Sequence, residues 1–222
     1  MVPMAKSAPF YRAIEEIESR GITLVFPAKK SSEVSSLWKT FHPRTPLRWE
    51  WSEDGDDKVF KMWQLMKELS DCEQVIYSKW FQGRATFFSR PLFSALLRFS
   101  QDCSEAFKNQ PEGVKSLMEC LEEDSPLSTK ELKARSGLRG KSFAAVYNRS
   151  MKWCFLRFLT VGYGEVEDGA FPSLLIGSTK LIYEDLVHQA SEMSKEESLE
   201  IINRYMPTGS PFRKQLERVF KP

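Results

Sequence analysis

The residues most suited to chemistry in this sequence are basic, and they are concentrated in one segment. From Lys130 to Arg157 the one acidic residue is Glu131, and the basic residues are Lys130, Lys133, Arg135, Arg139, Lys141, Arg149, Lys152 and Arg157. The whole chain has 32 Lys and Arg against 30 Asp and Glu, so its formal net charge is only +2. Lys and Arg donate hydrogen bonds to phosphate oxygens and base edges. The segment therefore indicates a local nucleic-acid-binding surface that the net charge does not reveal.

A helix predicted from Lys141 to about Cys154 divides part of this segment into two faces. The apolar residues at spacings of three and four are Phe143, Val146, Tyr147, Met151 and Cys154. The opposite face carries Lys141, Ala145, Asn148, Arg149 and Lys152. Arg, Lys and Asn have donors that bond both phosphate oxygens and base edges, as a recognition helix requires. We expect double-stranded DNA to be contacted by Lys141, Asn148, Arg149 and Lys152, with Arg139 on a phosphate. The competing interpretation is a solvated face whose charges serve solubility.

A second candidate for DNA binding lies in the segment 77–89. Aromatic residues surround Lys79 and Arg84 there, on either side of the turn at Gln82-Gly83. Aromatic rings stack on bases and cations hold phosphates, so this combination is suited to nucleic acid. The competing interpretation is a hairpin of the core that is capped by its charges.

The sequence offers little support for catalysis. It has no Gly-x-Ser-x-Gly motif and no phosphate-binding glycine loop, and its two histidines, His42 and His188, are far apart. The four cysteines lack the close spacing of a zinc site, so we predict neither a metal nor a cofactor. The carboxylates of 50–57 lack the spacing of a calcium loop and predict a solvated loop before a helix.

The elements around the basic helix must position it. A helix over 114–121 precedes Ser128-x-x-Glu131, a capping box that predicts the start of a second helix. A turn at 138–140 leads into the basic helix, and two predicted strands follow it at 155–163 and 171–176. This order of three helices and a hairpin is typical of a winged helix.

The turn of this predicted hairpin, at 164–169, is acidic. Glu165, Glu167 and Asp168 would be repelled by DNA phosphates, so this wing is not expected to hold the DNA backbone. We expect it to pack on the first part of the chain or on a partner protein.

The remaining patterns predict an α+β fold in three parts. Residues 1–110 form a mixed α/β N-terminal region, with helices at 9–20, 34–41, 56–69 and 91–100 and strands at 22–26, 75–77 and 85–88. The polar stretch 101–113 separates it from a winged-helix domain over 111–179. A helical extension over 180–222 follows, with helices at 180–190, 194–205 and 211–220.

The apolar runs of the chain are short. Those at 22–28 and 154–162 are far below the roughly 20 residues that cross a bilayer, so no membrane span is predicted. Residues 1–10 have no apolar stretch of the kind that a secretory signal requires, and the cysteines form no disulfide pattern. We therefore expect a cytoplasmic protein.

Several short motifs point to a known family. They are Gly21-Ile22-Thr23-Leu24-Val25-Phe26-Pro27, Ser36-Leu37-Trp38, the segment 63–69, Tyr77-Ser78-Lys79, Gly83-Arg84-Ala85-Thr86-Phe87, and the tail Ile201-Ile202-Asn203-Arg204-Tyr205. With the predicted winged-helix half, they make most of the chain resemble the winged-helix family that contains the AlkZ/YcaQ-type DNA glycosylases, in particular its shorter, divergent AlkZ-related members. The resemblance implies a winged-helix scaffold, DNA binding and a link to DNA repair.

The resemblance does not extend to the family's catalytic motif. In the glycosylases of that family, a Gln-apolar-Gln or Gln-apolar-Asp motif positions water against the sugar of an alkylated nucleotide. In this sequence no glutamine is followed two residues later by Gln or Asp; the glutamines are Gln64, Gln74, Gln82, Gln101, Gln110, Gln189 and Gln215. The resemblance therefore leaves glycosylase activity unsupported.

Three hypotheses follow. The leading one is a winged-helix protein that binds double-stranded DNA without catalysis. The second is a divergent glycosylase for alkylated bases, in which carboxylates such as Glu50 or Asp54 replace the missing glutamines. The third is a protein-interaction module on the same scaffold, for which the acidic wing and the acidic C-terminal helices are suited.

Overall fold

A computed structural model describes residues 6–28, 34–48, 57–167 and 172–221. The helices are α1 (Ala8–Arg20), α2 (Leu37–Phe41), α3 (Asp57–Ser70), α4 (Arg90–Gln101), α5 (Val114–Glu123), α6 (Thr129–Arg135), α7 (Ala144–Leu156), α8 (Thr179–Ile182), α9 (Glu184–Glu192), α10 (Lys195–Tyr205) and α11 (Pro211–Val219). The strands are β1 (Ile22–Leu24), β2 (Val75–Ser78), β3 (Thr86–Ser89), β4 (Leu127–Ser128), β5 (Thr160–Val166) and β6 (Ser173–Ser178). Short 3-10 helices lie at Ser104–Phe107 and Lys141–Phe143. The predicted α+β class with C-terminal helices is confirmed.

The end of α1 is decided by Gly21. Its φ of 70° lies in the left-handed region that glycine adopts without strain. A β-carbon at this position would also lie 2.3 Å from Cγ of Tyr205 in α10. Gly21 therefore ends the helix after Arg20, where the predicted helix 9–20 also ends, and allows a C-terminal helix to approach the backbone.

The strands of the described residues form one antiparallel sheet in the order β1-β3-β2-β5-β6-β4. The pair Tyr77 and Gly162 joins β2 to β5, so the N-terminal strands and the later hairpin share a sheet. The glycine is required there because a β-carbon at 162 would lie 2.2 Å from Cδ1 of Tyr77.

The C-terminal helices cover α4 and close the largest hydrophobic core. Three polar contacts fix them: Ser94 Oγ donates to Leu186 O at 3.2 Å, Ser198 Oγ donates to Ala95 O at 2.9 Å, and Arg98 Nε donates to Met193 O at 2.8 Å. Inside this core the buried Phe158 ring stacks between Trp80 and Phe220, with centroids 5.8 Å away on each side. The three predicted parts of the chain thus pack tightly together; their boundaries at 110 and 179 stay a prediction.

Several predicted boundaries are wrong. The helix expected at 34–41 begins only at Leu37, and the helix expected at 180–190 is two helices, α8 and α9, which Tyr183 separates. The strand expected at 155–163 begins only at Thr160, because Cys154 and Phe155 are buried as the last turn of α7. A mostly apolar run such as 154–159, in which Arg157 is the one charged residue, fits either a helix end or a strand, so periodicity does not decide between them. The strand β5 also continues through Val166, beyond the expected start of the turn at 164. No helix in the described part of the chain is long and apolar enough to cross a membrane.

Candidate nucleic-acid interface

The predicted capping box opens α6. Ser128 Oγ accepts a hydrogen bond from Glu131 N at 3.1 Å, and a carboxylate oxygen of Glu131 accepts one from Ser128 N at 3.0 Å. These bonds satisfy two donors that the first turn of a helix leaves without an intrahelical partner. The chain then turns through Gly137 and Gly140, whose φ values are 73° and 106°. Both φ values lie in the left-handed region, which glycine adopts without strain. The two glycines therefore allow the backbone to form the turn between α6 and α7.

One face of α7 is buried against a small core. Tyr147, Met151 and Phe155 pack there, and their partners from α5, β4, α6, the following turn and β6 are Leu117, Leu121, Leu127, Leu132, Leu138 and Ile176. Cys154 is also buried, and desolvation raises the pKa of its thiol to about 12. This packing fixes which side of α7 meets the protein and which meets solvent.

The other face of α7 is the predicted basic one. Ala145, Asn148, Arg149 and Lys152 are exposed at spacings of three and four, and Arg139 and Lys141 are exposed just before the helix. From 145 to 152 the helix rises about 10 Å. We call Arg139, Lys141, Asn148, Arg149 and Lys152 together the α7 basic face. The structure thus brings five of the seven predicted DNA-binding residues to one surface.

These side chains are not occupied by polar contacts with the residues that the structure describes. Within the described ranges, none of the five makes a side-chain hydrogen bond or an ion pair. Other basic residues of the segment do make contacts with neighbouring side chains. Lys133 lies over the Tyr147 ring at 4.7 Å, Arg135 bonds Asp124 at 2.7 Å and Glu123 at 3.2 Å, and Arg157 lies over the Trp153 ring at 4.2 Å. Some basic residues of the segment therefore stabilise the fold, whereas those of the α7 basic face have no partner among the described residues.

Phe143 does not lie where its spacing predicts. The helical pattern assigns it to the buried face of the basic helix, but 44% of its surface is exposed. The reason is local: residues Lys141–Phe143 form a 3-10 turn before α7 begins at Ala144, so the helical phase does not extend back to this position. A large apolar side chain is thus presented beside Lys141 at the start of the basic face.

The base of the predicted wing packs on the first part of the chain. A carboxylate oxygen of Glu165 on β5 lies 3.8 Å from Lys67 Nζ on α3, and the Glu165 side chain is only 12% exposed. Glu167 is exposed, while 168–171, which include Asp168, lie outside the described residues. One of the three carboxylates that would repel phosphate is therefore turned toward a lysine of the N-terminal region.

Lys79 and Arg84 lie in the turn between β2 and β3 and not on α7. Lys79 follows β2, where desolvation lowers the pKa of its ammonium and the nearby Glu165 carboxylate acts to raise it. Arg84 lies in the turn between β2 and β3 and lines a cavity together with residues of the loop after α2, among them Arg44. No pattern in the sequence singles out Arg44, because a loop at 42–47 and a turn at 84 meet only in the tertiary structure.

No catalytic cluster stands out in the part of the chain that the structure describes. There, no three His, Cys, Asp or Glu side chains come together as metal ligands would. His188 is an exposed residue of α9, 3.5 Å from Glu192, and His42 follows α2 with its ring 4.7 Å from that of Trp38. The alternative catalytic carboxylates, Glu50 and Asp54, lie outside the described residues.

The fold and the surface together define an α+β protein with an exposed cationic helix face that has no ion pair among the described residues. The family model described as "AlkZ related" matches residues 9–221, nearly the whole chain. The chain belongs to the AlkZ-related family, which links it to DNA-binding proteins of DNA repair. Among curated proteins and among solved structures, no match is found.

Proposed function

We propose that this protein is a winged-helix protein that binds double-stranded DNA through the α7 basic face and does not excise bases. The observation that carries the proposal is the exposure of Arg139, Lys141, Asn148, Arg149 and Lys152 without partners among the described residues. A major groove about 12 Å wide admits an α-helix, and cations whose donors are unpaired bind phosphates without first breaking internal contacts.

The order of elements supports the winged-helix interpretation. Helix α5 is followed by β4, α6, α7 and the strands β5 and β6. Strand β4 pairs with β6, and β6 pairs with β5, so the hairpin and the short first strand form a three-stranded unit beside the three helices. In this unit α7 occupies the place of the recognition helix, which contacts base edges in the major groove.

The wing is assigned a structural role in this proposal. A wing that held the DNA backbone would need cations at its end, whereas here Glu165 faces Lys67 and Glu167 is exposed. We infer that β5 and β6 orient α7 and that the phosphate contacts come from the helix and the preceding turn.

The test is a titration of a fluorescent duplex with the purified protein at several salt concentrations. The variant Arg149→Ala/Lys152→Ala should bind more weakly, and the log-log salt slope should fall by about 0.9 for each phosphate that the variant no longer neutralises. The matched control is Lys108→Ala/Lys115→Ala, which removes the same charge from two exposed residues that pair with Glu105 and Glu119. An unchanged slope in the first variant, or an equal weakening in the control, would contradict the proposal.

Catalysis is tested by measuring the release of methylated base when an alkylated duplex is used in the same titration. We expect bound duplex but no release of methylated base, because the sequence lacks the family's glutamine motif. Base release that is abolished by changing Glu50 or Asp54 would instead establish the glycosylase alternative. Absence of duplex binding at low salt, together with capture of a protein partner that survives Arg149→Ala/Lys152→Ala, would favour the interaction module.

A further inference from the structure

A cavity of about 450 Å³ is lined by none of the residues of the α7 basic face. Its walls come from residues 27–28 after β1, from Trp38 and Lys39 of α2 with the loop 42–47 that follows, and from Arg84 in the turn between β2 and β3. This volume falls within the range of sites that hold small molecules. We call it the Arg44–Arg84 cavity.

The titratable residues that line the cavity are all basic. They are Lys39, His42, Arg44 and Arg84, and no Asp or Glu lines it among the described residues. The guanidinium groups of Arg44 and Arg84 make no hydrogen bond or ion pair within the described ranges. Two unpaired guanidinium groups at one cavity indicate a site for an anion.

Hydrogen bonds hold the two arginine-bearing segments in place. On one side, Trp38 Nε1 donates to Thr45 O at 2.9 Å and Thr45 N donates to His42 O at 3.1 Å, which fixes the loop around Arg44. On the other side, Arg84 N donates to Phe81 O at 2.9 Å and Arg84 O accepts from Thr86 Oγ1 at 2.8 Å. Because the backbones are fixed before binding, a ligand need not order them.

Most of the remaining lining residues are apolar. They include Pro27, Pro43, Pro46 and Leu47, so the cavity combines a cationic part with walls that favour a hydrophobic body. A bare inorganic anion would leave these apolar walls in contact with water. A molecule that joins an anionic group to a planar or apolar body would use both parts.

We infer that the Arg44–Arg84 cavity binds a phosphate monoester carried on such a body, as in a nucleotide. Guanidinium groups match phosphate oxygens with paired hydrogen bonds, and a monoester carries close to two negative charges at neutral pH. The ligand is either a free mononucleotide or the 5′-phosphorylated end of a DNA strand. The second source would connect the cavity with the DNA proposed for α7. The two elements are in contact, because Trp80, in the same turn as Arg84, donates through Nε1 to Leu156 O at the end of α7.

The experiment is calorimetric titration of the full chain with thymidine 5′-monophosphate and, in parallel, with thymidine. We expect the phosphorylated compound to bind and thymidine to bind far more weakly. Arg44→Ala and Arg84→Ala should each weaken binding by about 10- to 100-fold, as removal of a hydrogen bond to a charged group does. Neither side chain is buried, so circular dichroism should show unchanged folding.

The control is Arg204→Ala, which removes an exposed arginine of α10 that lies 3.8 Å from Glu200. It should leave binding of thymidine 5′-monophosphate unchanged. If the control weakens binding as much as Arg84→Ala, or if the monophosphate binds no better than thymidine, the inference is overturned.

The two sources are separated with single-stranded oligonucleotides that carry a 5′-phosphate or a 5′-hydroxyl group. Tighter binding of the phosphorylated strand, abolished in Arg44→Ala, assigns the cavity to strand ends; equal binding of both strands assigns it to free mononucleotides. Phosphate binding in the cavity and duplex binding by α7 are tested independently by the two sets of variants. The cavity variants should leave binding of a duplex with 5′-hydroxyl ends unchanged, and Arg149→Ala/Lys152→Ala should leave binding of thymidine 5′-monophosphate unchanged.

Discussion

Gly162 lies directly against the ring of Tyr77, where β2 pairs with β5. The N-terminal strands and the hairpin behind α7 are joined at this pair, so the orientation of the basic face relative to the first part of the chain depends on it. A β-carbon at 162 would lie 2.2 Å from Cδ1 and 2.6 Å from Cε1 of Tyr77, and the buried ring has little free space to move into.

The first prediction concerns this contact. Gly162→Ala should lower the free energy of unfolding by about 1–3 kcal/mol, the cost of inserting a methyl group into a packed core. In the background Tyr77→Ala, where the ring is absent, the same change should cost much less. Urea unfolding of the four proteins in this double-mutant cycle measures the coupling. Equal costs of Gly162→Ala in both backgrounds would show that the contact is unimportant.

The second prediction concerns the capping box of α6. Ser128→Ala removes the acceptor for Glu131 N and should lower the free energy of unfolding by about 1 kcal/mol, or the Tm by about 2–4 °C. The matched control is Ser19→Ala, since the Ser19 hydroxyl only donates to Glu16 O within α1. Thermal unfolding followed by circular dichroism checks both variants. Identical Tm values for the two would argue against a capping contribution.

The third prediction concerns Phe143. Its exposed ring is expected to make apolar contact with DNA, so Phe143→Ala should weaken duplex binding by about fivefold, since about 1 kcal/mol of apolar burial is removed. The salt dependence of binding should not change, because an apolar contact releases no counterions. Anisotropy titrations at several salt concentrations measure both quantities. The control is Phe60→Ala, which removes a ring of 48% exposure on α3. Unaltered affinity in Phe143→Ala would remove this residue from the interface.

The fourth prediction is a pH dependence of stability. Burial raises the pKa of Cys154 to about 12, from an ordinary value of 9.0. Above pH 9 the thiol of the unfolded chain ionises while that of the folded chain stays neutral, so its stabilising contribution is complete below pH 9 and disappears as the pH rises toward 12. Within this window each pH unit should remove about 1.4 kcal/mol of unfolding free energy for this group.

Urea unfolding between pH 8 and pH 10.5 tests this dependence in the parent protein and in Cys154→Ala, which is less stable throughout because a small cavity forms. The stability of the variant should fall less steeply with pH, since the remaining alkaline titration comes from residues such as Tyr147, whose pKa burial also raises to about 12. Parallel curves for the two proteins would exclude Cys154 as the cause.

The amino-acid sequence by itself determined the elements whose signals are local. Gly21 ends α1 because only glycine adopts its backbone conformation without strain, and Ser128 and Glu131 start α6 because their side chains bond the backbone of the same turn. The exposed stripe of α7 follows in the same way from helical periodicity, since residues three and four apart share a face. Such features need no information about distant parts of the chain.

The tertiary structure alone decided how these elements are used. It pairs Arg135 with Asp124 and leaves Arg149 unpaired among the described residues, although the two arginines look equivalent in the sequence. It turns Glu165 toward Lys67 and brings Arg44 beside the turn that carries Arg84. These contacts join residues that lie 11 to 98 positions apart. Their formation depends on how the sheet and the helices pack, and no periodic or local pattern encodes that packing.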